Sequence, residues 1–211
     1  MFGGNEWFLG TLATKTPEIA HDLELGYDLK TDKVTGNINL YYTWFKDELV
    51  LNGLFGTNGL PAHENAESSY RFGLEFSGEW RVSDRISLIN NSSLSRNIVK
   101  TEAYGTKNHT FTPSYTVNQD IEYSLPKHYR FGLGLRFRDG LYVDMMNTYK
   151  LPSALTLNAY INADFESWDL GVRVGNITNE RTYSSAVLGA TELLYLIDVP
   201  FNVMFSVKYK F

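Results

Sequence analysis

Cysteine is absent from the 211 residues, which excludes disulfide staples and thiolate metal sites. Proline is scarce. Its six copies (Pro17, Pro61, Pro113, Pro126, Pro152 and Pro200) all fall in connections or at the edges of alternating segments, where a missing N–H costs no ladder bond. No apolar run approaches the ~20 residues of a membrane-spanning helix. No Arg/Lys-flanked apolar run opens the chain, so no signal peptide is expected. Positive charge is in deficit, with 19 Lys and Arg against 24 Asp and Glu, which argues against a nucleic-acid surface.

Chemistry-bearing patterns are also missing. The four histidines (His21, His63, His109 and His128) are scattered without metal-ligand spacing, and the dipeptide at His63–Glu64 is too short for a zinc site. His63 and His109 fall in long connections, where a metal chelate would be met from outside. There is no Ser/His/Asp arrangement and no phosphate-cradling glycine loop between a strand and a helix. No catalytic residue, cofactor or metal site is therefore expected, and the chain is not read as an enzyme.

Aromatics are abundant, with 14 Tyr, 13 Phe and 4 Trp, and they take part in a two-residue alternation that recurs along nearly the whole chain. "HDLELGYDLK" sets Leu23, Leu25, Tyr27 and Leu29 against Asp22, Glu24, Gly26, Asp28 and Lys30. The same pattern returns in "NINLYYTWF", "YRFGLEFSGEWRV", "YTVNQDIEY", "YRFGLGLRFR", "LTLNAYINADF", "WDLGVRVGN" and the closing "FNVMFSVKYKF". "ISLINNSSLS" is the least regular, with only Ile86, Leu88 and Leu94 in phase. These nine segments predict nine strands. The connections alternate too: short near 31–35, 82–85, 125–128 and 166–169, long over 49–69, 99–113, 139–153 and 179–200. That predicts an all-β, antiparallel, up-and-down sheet. In outer-membrane barrels short turns are periplasmic and long loops extracellular.

Alternation alone does not say whether the apolar face meets a core or lipid. Three features favour lipid. The strands have the length that crosses a bilayer at a steep tilt, about 9–11 residues. Aromatics cluster at strand ends: Tyr27, Trp80, Tyr123, Tyr129, Trp168, Tyr209 and Phe211 near the short turns, and Trp44, Tyr70, Tyr115 and Phe201 near the long loops, as in interfacial girdles. The second face carries too much charge for a packed core, but a wet or plugged lumen accepts it. Gly26, Gly73, Gly132, Gly134, Gly171 and Gly175 fall on that lumen face. They are read as room for a plug and for curvature, so Gly132→Arg is expected to be tolerated better than Leu133→Arg. Arg130, Arg136 and Arg138 form a basic stripe on one strand, balanced by acids on its neighbours or facing an anionic ligand. An odd strand count with two open edges predicts a segment of a larger barrel, because unpaired edges are forbidden in lipid.

Specific residues then carry a family resemblance. "TPEIAHDLELGYD" (16–28), "LYVDMMNTYKLPSALTLNAYINADF" (141–165), "GVRVGNITNERTY" (171–183) and "VPFNVMFSVKYKF" (199–211) together resemble the barrel of TonB-dependent outer-membrane receptors. Asn176 and Tyr183 match the penultimate-strand signature, and Asn179 stands where Asp is usual. The resemblance implies the C-terminal portion, residues 1–211, of a barrel of about 22 strands, with the plug domain, energy-coupling box and earlier strands outside this chain. It implies uptake of a scarce nutrient such as a ferric siderophore, haem, cobalamin or an oligosaccharide, energised through TonB. The implied partners are outer-membrane lipid, the barrel-assembly machinery, the rest of the barrel with its plug, and the TonB energy complex. No nucleic acid is among them. By family analogy Phe211, with Tyr209, is the assembly signal. Two alternatives are a passive porin-like wall made by several copies and a soluble β-barrel or sandwich that binds a ligand.

Overall fold

The computed structural model describes residues 16–55, 61–126, 128–188 and 192–211. Residues 56–60, inside the expected 49–69 loop, and Lys127, in the expected 125–128 turn, lie outside these. Every regular element described is a strand.

Nine strands form one continuous antiparallel wall. In order they are β1 (Ile19–Lys30), β2 (Val34–Lys46), β5 (Ser68–Arg81), β6 (Ile86–Thr101), β8 (Tyr115–Ser124), β9 (Tyr129–Arg138), β10 (Ala154–Asp164), β11 (Trp168–Gly175) and β14 (Asn202–Tyr209). They are the nine read from the alternation, and each lies beside its successor. β6 crosses with the rest despite its irregular pattern, pairing β5 from Ser68↔Lys100 to Arg81↔Ser87. The short connections are held by local hydroxyl turns. Thr31 Oγ1 accepts from the Val34 amide at 2.9 Å and Ser83 Oγ from the Ile86 amide at 3.1 Å.

The segments expected only as long loops contain further strands. β3 (Leu49–Phe55) and β4 (Pro61–Asn65) form one hairpin, and β12 (Tyr183–Leu188) and β13 (Leu193–Ile197) another, while β7 (Gly105–Asn108) extends the far end of β6. Several wall strands also outrun the length needed to cross a bilayer: β5 has 14 residues and β6 has 16. Their extra length carries them past the wall into the assembly of loops and hairpins at one end, called the outer rim below.

Burial divides the molecule. On the wall the large apolar side chains are exposed even on strands paired on both sides, Leu40 at 53%, Leu133 at 51% and Ile161 at 44%, as expected of a surface that meets lipid. The rim carries two small packed cores. One joins Val50, Ala66, Val99 and Met145; the other joins Leu141, Leu151 and Ala186, with Val143, Tyr183 and Leu193 packed against it. Val99 and Leu151 are each only 1% exposed. Along the sheet, β1 and β14 are edge strands with one paired neighbour each.

Candidate functional site

The inner face is built by the residues that alternate with these exposed apolar ones along each strand, and directly opposed residues in an antiparallel pair share a face. It is a hydrogen-bonded polar wall. Thr43 Oγ1 donates to Asp22 Oδ1 at 2.6 Å, and Asn37 Nδ2 to Asp28 Oδ1 at 2.7 Å. The Tyr160 hydroxyl donates to Glu122 Oε2 at 2.8 Å. Arg136 Nη2 reaches both oxygens of Asp120 at 2.8 Å. Arg138 Nη2 donates to the Tyr183 carbonyl at 2.8 Å. Two of the three stripe arginines are therefore held by their surroundings, Arg136 by an acid on the adjacent strand.

Two of the six lumen glycines lie under a tyrosine of the neighbouring strand. Gly132 lies directly opposite Tyr160, and Gly73 opposite Tyr41. A Cβ on Gly132 would fall within the Tyr160 ring, and one on Gly73 would meet the Tyr41 hydroxyl at 2.7 Å. The room over these two glycines is taken by the ring ends of the wall's own Tyr160 and Tyr41. Gly132→Arg must therefore displace the Tyr160 ring, a cost that alternation alone does not show.

Toward the rim the lumen face rises to a buried carboxylate. Glu48, between β2 and β3, is 6% exposed. Its oxygens meet Ser69 Oγ and Arg71 Nη2. His109 Nε2 stands 3.7 Å from Glu48 Oε1 and 3.5 Å from Arg71 Nη2. The Arg71 guanidinium also sits 4.5 Å over the Phe45 ring. Glu48 ties the loop after β2 to β5 and to the segment after β7. Sequence reasoning passed over it. Among the described residues no group of three or more His, Cys, Asp and Glu could hold a metal ion.

At the opposite end Lys210, one residue past β14, contacts Asp164 and Asp169, each at 2.6 Å. These hydrogen-bonding carboxylates, Asp164 first, hold its ammonium above the usual lysine range. Trp168 and Tyr209 pack at 4.7 Å between centroids, and Phe211 meets Tyr209 edge-on at 5.1 Å.

The penultimate-strand signature is a turn device. Asn176 (φ 49°) and Asn179 (φ 51°) both occupy the left-handed region, which Asn tolerates better than most residues. The buried Asn176 side chain donates to the Glu180 carbonyl and accepts from the Glu180 amide, at 2.9 and 3.0 Å. Asn179 Oδ1 accepts from the Phe201 amide at 3.0 Å. An aspartate would supply the same acceptor, so the departure at 179 keeps the bond that starts the last strand.

A barrel wall with a polar inside, an apolar outside and packed outer loops defines the class: a transmembrane β-barrel of the outer-membrane type. The profile of the family described as TonB dependent receptor-like, beta-barrel matches residues 2–179, and the chain belongs to that family. Its members are outer-membrane receptors and transporters rather than enzymes. Curated protein sequences give no match. Among solved structures the chain is similar to the ferric yersiniabactin uptake receptor FyuA from Yersinia pestis, with 19% identity, 90% of this chain and 29% of that one covered, and a TM-score of 0.76. It is also similar to the siderophore receptor PiuA from Acinetobacter baumannii (13% identity, 92% and 28% covered, TM-score 0.71). The FrpB iron transporter from Neisseria meningitidis is a third (16% identity, 92% and 31% covered, TM-score 0.70). The chain spans less than a third of the length of these relatives. The nine strands are a segment of a larger barrel.

Proposed function

We propose that residues 1–211 form the C-terminal wall and outer rim of an outer-membrane receptor that imports a scarce nutrient, a ferric siderophore or a related iron complex, with energy delivered through TonB. The observation that carries this reading is the two-faced wall: apolar residues outward, and a charged, hydrogen-bonded lining that accepts water and a plug. The names of the similar solved structures, all receptors or transporters for iron or its chelates, favour iron among the nutrients. On this reading the plug and earlier strands belong to the same receptor, and the lining meets the plug. The test is uptake of radiolabelled ferric siderophores by iron-starved cells, with the parent gene deleted and restored, with and without TonB. Loss on deletion and in the absence of TonB is expected. Uptake that persists without TonB would favour a passive, porin-like wall.

Phe211 and Tyr209 are, on the same reading, the signal recognised by the barrel-assembly machinery. The Phe211 ring, edge-on to Tyr209 and beside the tilted Tyr209–Trp168 pair, suits recognition by a separate protein. Deleting Phe211 should lower the amount of folded receptor in the outer membrane while synthesis is unchanged. Normal insertion of the deletion would remove this role.

A further inference from the structure

One row of the lipid-facing surface departs from the apolar pattern. Gly36, Gly78, Asn90 and Gln119 stand directly opposite one another across β2, β5, β6 and β8. Ser92 stands in the next row, opposite Phe76 and Val117. Gln119 lies midway along β8 between the exposed rings of Tyr115 and Tyr123, so it sits in the middle of the apolar band. The irregular alternation of β6 comes from this patch.

The polar groups are linked to one another. Asn90 Nδ2 donates to Gln119 Oε1 at 3.0 Å, and Ser92 Oγ donates to Asn90 Oδ1 at 2.8 Å. Gln119 Nε2 donates to the carbonyls of Ile89 and Asp120, both at 3.0 Å. A primary amide has two N–H donors and two acceptor lone pairs. Asn90 has spent one proton of two, and Gln119 Oε1 one lone pair of two, among the described residues. Hydrocarbon offers neither group a partner, and unsatisfied polar groups in lipid are costly. Gly36 and Gly78 lie beside them without side chains of their own, and the tip of the Phe76 ring stands 3.4 Å from where a Gly78 Cβ would sit.

We propose that this patch is a lateral interface on which a second copy of the receptor packs within the membrane, about a two-fold axis along the membrane normal. The proposal rests on the reading of this face as lipid-facing. The patch is uncharged and holds a spare donor and a spare acceptor side by side, so it complements itself. A two-fold axis sets the Asn90 proton of one copy against the Gln119 oxygen of the other, as an isologous contact requires. A lipid chain has nothing to offer those groups. The patch also lies well inside the sheet, so packing there leaves the edges of β1 and β14 free for the remaining strands.

The test uses the full-length receptor, freed of any other cysteine, in native outer membranes. Val117→Cys borders the patch and leaves its polar groups intact; Leu170→Cys sits on β11, three strands away. Mild oxidation should give a product of twice the receptor mass with Val117→Cys and little with Leu170→Cys. The double variant N90L/Q119L, added to Val117→Cys, should lower that yield at least fivefold while the folded, heat-modifiable band remains. No dimer from Val117→Cys, equal dimer at both positions, or a product of another mass would overturn the proposal. An environment-sensitive fluorophore on Leu170→Cys separates the two failures. An apolar spectrum without a dimer removes the interface alone, and an aqueous spectrum removes the lipid-facing assignment with it.

Discussion

β6 passes through two different solvents. At its midpoint Leu94 points outward and is well exposed, with the opposite face lined by Asn91, Ser93 and Ser95. Four residues further on, Ile98 and Val99 are both buried although they point to opposite faces. In the wall, among the described residues, no large apolar side chain is fully buried, because lipid receives it. In the rim, water lies outside, so β7 pairs alongside β6, and Val50, Ala66 and Met145 pack against Val99. The rim is thus a small soluble protein grafted onto a membrane wall, and the same strand serves both by changing what lies beside it.

This contrast can be broken or sharpened by substitution. The largest effect is expected in the rim, at Glu48→Ala. It leaves the buried Ser69 hydroxyl without its acceptor and the part-buried Arg71 without its carboxylate, at a cost of about 3 kcal/mol. Hydrogen exchange should rise around 47–67, including the Ala66 amide that donates to the Glu48 carbonyl, while β9 and β10 stay protected. An equal rise in the wall would mean the two regions unfold as one. Next comes Leu133→Arg on the outer face of β9, where a charge at mid-membrane costs roughly 2–4 kcal/mol. Asn91→Arg, on the inner face of β6, should leave folded yield near wild type; comparable losses would undo the face assignment. Gly132→Ala is expected to cost roughly 1–3 kcal/mol by overpacking, since it must displace the Tyr160 ring. Tyr160→Ala should restore most of that loss in the double variant, and an additive double variant would show that the ring does not fill that space. The smallest effect belongs to Lys210→Met. Its ion pairs are exposed, and exposed pairs contribute little, so the thermal transition of the receptor should not move measurably.

The wall was legible because lipid on one side and water on the other force a period of two, and the pattern survives even in β6, where Asn90 and Ser92 interrupt it. The rim was not. "LVLNGLF" and "LLYLI" are short apolar runs beside glycine or acidic residues, and nothing local distinguishes a hairpin there from a loop. The Glu48, Arg71 and His109 cluster joins residues 23 and 38 positions apart in the chain, a distance no motif spans. The pairing of Tyr160 over Gly132 likewise needed the strand register, although each residue was visible on its own. The family signature was legible, but its mechanics, two asparagines in the left-handed region, came only with the backbone.

The order of the wall also bears on how quickly it can assemble. Each wall strand pairs with the next one along the chain, with at most a rim hairpin or bridge between them. Contacts of this kind form by short-range loop closure, whose entropic cost rises only slowly with length, and hairpins form in about 1–10 μs. Such a sheet can grow strand by strand like a zipper, each new strand templated by the edge before it. Sealing a ring is another kind of event: it must bring together edges far apart in the chain. The rate-limiting step for a receptor built this way is therefore expected where an edge strand, β1 or β14, meets the rest of the barrel, not at the eight junctions between these nine strands.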